Sequence, residues 1–244
     1  MENTSALPAQ TPAETPGLMA RIIGIVFSPR ATYAAVVRRP QIVGVLLITL
    51  LTNGGLQFWL FSSEPGRRAT TRQMEERIRQ MEAQGQEVSA EGRAFMEGLG
   101  RVLGPALAGA QIVVAPVVLA FFAIVTMALL NALIGGAATF RQMYAVFSHS
   151  GVIGTVGVLF QTPLMYVTED VTSPTSLRRL APFGPEDTFV AHLLGGLDLV
   201  FIWWFFNLAI GLAVLYRSRT APFAISLLGL YAGVMLVVAL VQSF

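Results

Sequence analysis

An all-α membrane fold is what the sequence predicts: an integral five-helix bundle with an N-terminal interfacial helix and a helical connection between spans one and two. Three observations carry it. Five apolar stretches, near residues 41–61, 106–134, 142–167, 188–216 and 222–243, each exceed the ~20 residues that a helix needs to cross ~30 Å of hydrocarbon. Backbone groups in lipid must bond within their own segment, so stretches of this length are helices. The composition agrees, with 54% hydrophobic residues, 12% charged residues and a mean hydropathy of +0.64. Nearly all charges fall between the apolar blocks.

Residues 1–17 are polar, Pro-rich and slightly acidic, the composition of a disordered tail. Arg21 interrupts the short apolar run that follows, and no small-residue cleavage site comes after it, so no cleaved signal peptide is expected. Residues 18–39 read as an interfacial segment. Arg21, Gly24, Ser28, Thr32, Ala35 and Arg39 recur at helical steps as a small or polar stripe, with Ile22, Ile25, Val26, Tyr33, Val36 and Val37 outside it. Ser28-Pro29 has the form of an N-cap followed by proline at the first helical position, which splits the segment at Phe27/Ser28. Arg21, Arg38 and Arg39 are the candidate membrane-surface contacts; Arg38 and Arg39 stand where anionic headgroups begin.

The first span carries Asn53-Gly54-Gly55, which allows close helix approach, and ends near Trp59 and Phe61. The connection from Ser62 to about Gly104 contains Met74, Ile78 and Met81 on one helix face. Thr70 and Gln73 stand at capping-box spacing, and a second helix start is expected at Ser89. Its interleaved Arg and Glu residues describe a solvated helix. Pro116 predicts a bend in the second span. The third span is the most polar, with Ser148, His149, Ser150, Thr155 and Gln161, and its Gly151, Gly154 and Gly157 predict tight packing inside the bundle. Residues 168–187 form a Pro-rich loop in which Glu169, Asp170, Glu186 and Asp187 outnumber Arg178 and Arg179. Spans four and five are joined by a short turn with Arg217 and Arg219.

These arginines set the expected orientation. Arg21, Arg30, Arg38, Arg39, Arg141, Arg217 and Arg219 lie in short acid-free segments on one side, whereas the long first connection pairs its arginines with glutamates. The positive-inside effect acts most clearly on the former, which places the N-terminus in the cytoplasm and the C-terminus outside.

The candidates for chemistry are few. Asp198 is the one ionisable residue deep in a span, about 15 Å from its presumed outer end, and His149 lies about 12 Å from the cytoplasmic end of the third span. The two could meet across an antiparallel helix pair, as a structural hydrogen bond or as a polar site on a transport path. His192 reads as an interfacial residue. With no cysteine and no grouped ligands, neither a disulfide framework nor a metal site is indicated, and no cofactor is called for. Nucleotide-binding, zinc-protease and serine-hydrolase motifs are missing, so an enzyme is not expected. The pI near 9.4 does not point to nucleic acid, because the basic residues are dispersed at helix ends as topology signals. All sixteen basic residues are arginine, a bias suggesting a GC-rich bacterial genome and hence a bacterial cytoplasmic (inner) membrane.

The order of elements, with RIIGIVFSPRATYAAVVRRP before the first span and TFRQMYAVFSHSG after a glycine pair, resembles bacterial-type members of the Yip family of multi-pass membrane proteins. The likeness covers roughly residues 18–243. In eukaryotic relatives it implies trafficking with Ypt/Rab-type GTPases, but the Asp-Leu-Tyr-Gly-Pro motif of those relatives is absent here. The resemblance carries no catalytic residue. Its implied role is non-enzymatic: membrane organisation or partner recruitment at the cytoplasmic face. The expected partners are the lipid bilayer and a membrane or peripheral protein, GTPase-type only by family analogy. The alternative is a small-solute or proton-coupled transporter built around Asp198 and His149.

Overall fold

A computed structural model of the chain describes residues 16–83, 85–181 and 188–243; residues 1–15 of the expected tail, and Glu186 and Asp187, lie outside this set. The described residues form ten helices and no strand. In chain order they are α1 (Leu18–Phe27), α2 (Pro29–Arg38), α3 (Val43–Ser62), α4 (Glu64–Ala83), α5 (Ala90–Ile134), α6 (Phe140–Thr168), α7 (Leu177–Leu180), α8 (Phe189–Gly196), α9 (Leu199–Leu215) and α10 (Thr220–Gln242). By length and composition α3, α5, α6 and α10 can each cross a membrane. That makes four such helices, not the expected five. The apolar stretch 188–216 is divided into α8 and α9, because Asp198 caps α9 and diverts the chain from helical geometry.

α6 is the axis of the bundle. Of its most apolar stretch 61% is buried, against 6% for α5 and 17% for α10, whose side chains face outward nearly all round. The expected enclosure of the polar helix follows: Ser148, His149, Ser150, Thr155 and Thr162 are all buried on it. Its hydroxyls turn back on their own helix, with Ser148 donating to Tyr144 O at 2.7 Å and Ser150 to Phe147 O at 2.8 Å. Of the three glycines read as packing residues, only Gly157 meets a neighbour, Val200 of α9; a side chain at 151 or 154 would find open space. Other close approaches come from Gly54 against Ile112 of α5 and Gly211 against Val146 and Tyr33.

α5 is 45 residues long, about 68 Å at ~1.5 Å per residue, more than twice a hydrocarbon layer. Its first part carries all of its charges (Glu91, Arg93, Glu97 and Arg101) and packs with α4, where Ile78 is fully buried. Ser89 caps it as expected, accepting from Gly92 N at 3.1 Å. The capping box expected at Thr70 does not form. α4 already starts at Glu64, so Thr70 is interior and donates to Gly66 O at 2.9 Å. Neither Pro105 nor Pro116 ends α5, and the Pro116 carbonyl accepts from Tyr144 Oη at 3.2 Å.

The N-terminal pair departs most from a surface segment. The chain does divide at Ser28, yet α1 and α2 are built into the bundle against α6 and α9. Tyr33, fully buried, donates to Asn207 Oδ1 of α9 at 2.6 Å, and Asn207 Nδ2 donates to Ile25 O at 2.9 Å. Much of the small or polar stripe is the seam between the two helices, Gly24 meeting Thr32. Their outward faces differ. α1 exposes Met19, Ile23 and Phe27 at four-residue steps; α2 exposes Arg30 and Arg38, two such steps apart. One face suits hydrocarbon and the other suits headgroups.

Candidate functional site

The helix connections gather charge at two ends of the bundle. At one end stand the C-terminus of α2, the α5–α6 turn and the α9–α10 turn, tied together by side chains. Gln142 Nε2 donates to Val37 O at 3.2 Å, Tyr216 Oη to Asn131 Oδ1 at 2.9 Å, and Arg30 reaches Thr220 Oγ1 at 3.4 Å. Each turn has a local cause. Gly135 ends α5 in the left-handed region at φ 71°, and Thr139 with Gln142 closes a capping box at the start of α6. Arg217 ends α9 in the same left-handed region at φ 51°, with Ser218 N bonded back to Ala213 O at 2.8 Å.

Between these three pieces lies an open cleft of about 660 Å³, lined by Val37, Val214 and Gly136 together with Arg38, Gln142 and Arg217. Arg30, Arg38, Arg39, Arg141, Arg217 and Arg219 all lie at this end, and the three segments hold no Asp or Glu. Burial raises the Tyr216 hydroxyl above its ordinary pKa. The guanidinium groups of Arg38, Arg141, Arg217 and Arg219 make no hydrogen bond or ion pair among the described residues. Of the three sequence-derived surface contacts, Arg38 and Arg39 are exposed here. Arg21 is buried, donating to Gln41 O at 3.1 Å.

At the opposite end charges meet charges. Glu169, also a left-handed helix terminus at φ 49°, accepts from Arg68 at 3.2 Å and Arg72 at 2.9 Å, and Asp170 pairs with Arg179. Asp198 lies toward this end too, 17 residues of α9 before Tyr216, hence ~25 Å from the arginine end rather than at mid-depth. Its Oδ1 caps α9, accepting from Val200 N at 2.7 Å and Phe201 N at 3.4 Å. Its Oδ2 accepts from Ser173 and, at 2.8 Å, from Thr175. Thr175 O and Leu177 N pair with Leu199 N and Leu197 O, so a short returning segment covers the break like a strand. Tyr231 of α10 closes it, its hydroxyl accepting from Asp198 N at 3.0 Å and donating to Gly196 O at 2.7 Å. Nearly every polar group freed by interrupting the helix is thereby satisfied.

His149 is not brought to Asp198. Its Nδ1 bonds Ala145 O at 2.8 Å, and its fully buried Nε2 has no hydrogen-bond partner among the described residues. Sequence reasoning missed Gln142 and Tyr216 as members of the cleft and Tyr231 as a member of the break. The Gly195-Gly196-Leu-Asp198 run carried a stop-and-restart signal that pointed to the latter. His192 falls in α8. Among the described residues no group of three or more His, Asp or Glu could hold a metal ion.

No curated protein and no solved structure matches the chain. A family model does: the Yip1 domain matches residues 23–241, from inside α1 almost to the end of α10. The match runs through both arginine-end turns and the Asp198 break. The chain therefore belongs to the Yip family of membrane proteins.

Proposed function

We propose that this is a non-enzymatic membrane protein that turns its arginine end to the cytoplasm, where it organises anionic lipid or recruits a peripheral partner. One observation carries the reading: six arginines crowd one end of the bundle with no acidic side chain in the segments that hold them. Local structure does not favour all of them. Arg141 sits in the first turn of α6 and Arg219 at the N-cap of α10, where the helix dipole prefers an anion by ~0.3–1 kcal/mol. Their placement is better explained by something outside the chain, an inner-leaflet surface or an acidic partner. A bacterial cytoplasmic membrane is the proposed location, with the tail cytoplasmic and the end of α10 outside.

Because the chain contains no cysteine, single cysteines report sidedness cleanly. Ala137→Cys marks the arginine end and Gln86→Cys the other. A membrane-impermeant maleimide added to intact cells should label Gln86→Cys only, Ala137→Cys reacting after permeabilisation. The reverse pattern would overturn the orientation and the role with it. Photocrosslinking from exposed Ala31 on α2 then separates lipid from protein contacts, and adducts to neither would sink the recruitment role.

Transport is the second reading, favoured by the interrupted α8–α9 helix, since broken helices mark binding sites in many transporters. Proteoliposome flux that Asp198→Asn abolishes would support it, and flux indifferent to that change would dismiss it.

A further inference from the structure

We infer that the arginine-end cleft is a headgroup site for an anionic phospholipid, with Arg38 and Arg217 holding its phosphate. This deepens the proposed function and rests on its view of that end as a working surface.

The backbone at Arg217 supplies the first support. A residue that ends a helix in the left-handed region is usually glycine, since a Cβ is strained there. The α5–α6 turn beside the cleft follows that preference with Gly135, but the α9–α10 turn places arginine in the same conformation. Among the described residues the other non-glycine residue in this region is Glu169, and its side chain is in use, joining α6 to Arg68 and Arg72 of α4. Arg217 occupies a corresponding position on α9 with no such partner among the described residues. Its charge is left for a group that none of the described residues supplies.

The surroundings state the chemistry of that group. Arg38 lines the same cleft, likewise without a partner among the described residues, and no carboxylate lies in the segments that form it, so the ligand is an anion. Two guanidinium groups with the Gln142 side chain beside them suit phosphate oxygens. Val37, Val214 and Leu215 also line the cleft, and the exposed Leu133 and Ile134 continue onto the outward face of α5. A diacyl lipid could therefore lay its chains along α5 with its phosphate at the two arginines.

The test uses the full chain in nanodiscs and detergent. Wild-type protein transferred from mixed bilayers of phosphatidylglycerol and phosphatidylcholine into mild detergent is expected to retain phosphatidylglycerol selectively in native mass spectra. Arg38→Gln and Arg217→Gly should each lower that retention about tenfold. Arg217→Gly separates ligand binding from folding, because glycine suits the backbone there and should leave the melting temperature in zwitterionic detergent unchanged or raised. Equal retention of both lipids by the wild type, or undiminished retention by Arg217→Gly, would overturn the site. So would inorganic phosphate matching the lipid's stabilisation at equal concentration, since that would leave the acyl chains no part. The readout does not depend on which compartment the end faces, so its failure is distinct from failure of the labelling experiment.

Discussion

The two ends of the bundle handle charge in opposite ways. At the Glu169 end carboxylates and guanidinium groups meet directly, and Asp198 accepts four hydrogen bonds at the break between α8 and α9. The segments that form the arginine end hold no Asp or Glu, and four guanidinium groups stand there without a partner among the described residues. The first end holds the molecule together; the second is available to something else. The contrast also explains the two left-handed charged residues. Glu169 fastens α4 to α6, whereas Arg217 points its charge at an open cleft.

This division should show in mutants. Asp198→Ala is expected to have the largest effect, a loss of about 2–4 kcal/mol, because it strands two hydroxyls and two backbone N–H groups in an apolar setting. Thermal unfolding in detergent measures it, and a loss under 0.5 kcal/mol would mean that the break is not a structural joint. Tyr231→Phe removes one donor and one acceptor from the same joint and should lose about 1–3 kcal/mol by the same assay. Tyr33→Phe tests the anchoring of α2 and should lose about 1–2 kcal/mol, with faster proteolysis ahead of α3 as an independent sign. Arg68→Gln at the paired end is exposed and should change stability by less than ~1 kcal/mol. Arg217→Gly should be neutral or gain up to ~1 kcal/mol, the sign expected when a residue is kept for binding rather than for folding.

Much of the architecture was legible because hydrocarbon imposes one rule on long apolar segments. The division at Ser28, the start at Ser89 and the enclosure of the polar third span all followed from local chemistry. The break at Asp198 was masked by the same rule: residues 188–216 are apolar enough to read as one helix, and an N-cap inside such a stretch registers as a buried charge. What holds the break open is distant in sequence, Ser173 and Thr175 on one side and Tyr231 on the other, and no local pattern announces that meeting. The expected pairing of His149 with Asp198 treated both as lying near mid-membrane; Asp198 is instead committed to capping α9 near the far end. The arginine-end cleft was half visible. Each acid-free turn could be read, and the alternation of spans puts them on one side, but their convergence on Tyr216 and Gln142 needed the fold. α1 and α2 were read as surface helices because either outward face alone fits an interface; the inward face, with Tyr33 on Asn207, shows only in three dimensions.

The most direct test compares paired substitutions at the two ends in lipid of two kinds. Arg38→Gln with Arg217→Gly, and separately Arg68→Gln with Arg72→Gln, would each be melted in nanodiscs of phosphatidylcholine alone and of phosphatidylcholine with phosphatidylglycerol. The first pair should match the wild type in phosphatidylcholine and lose the extra stability that phosphatidylglycerol confers. The second should keep that gain and lower the melting temperature equally in both lipids. A phosphatidylglycerol gain that survives at the arginine end, or that vanishes at the other, would contradict the division of labour between them.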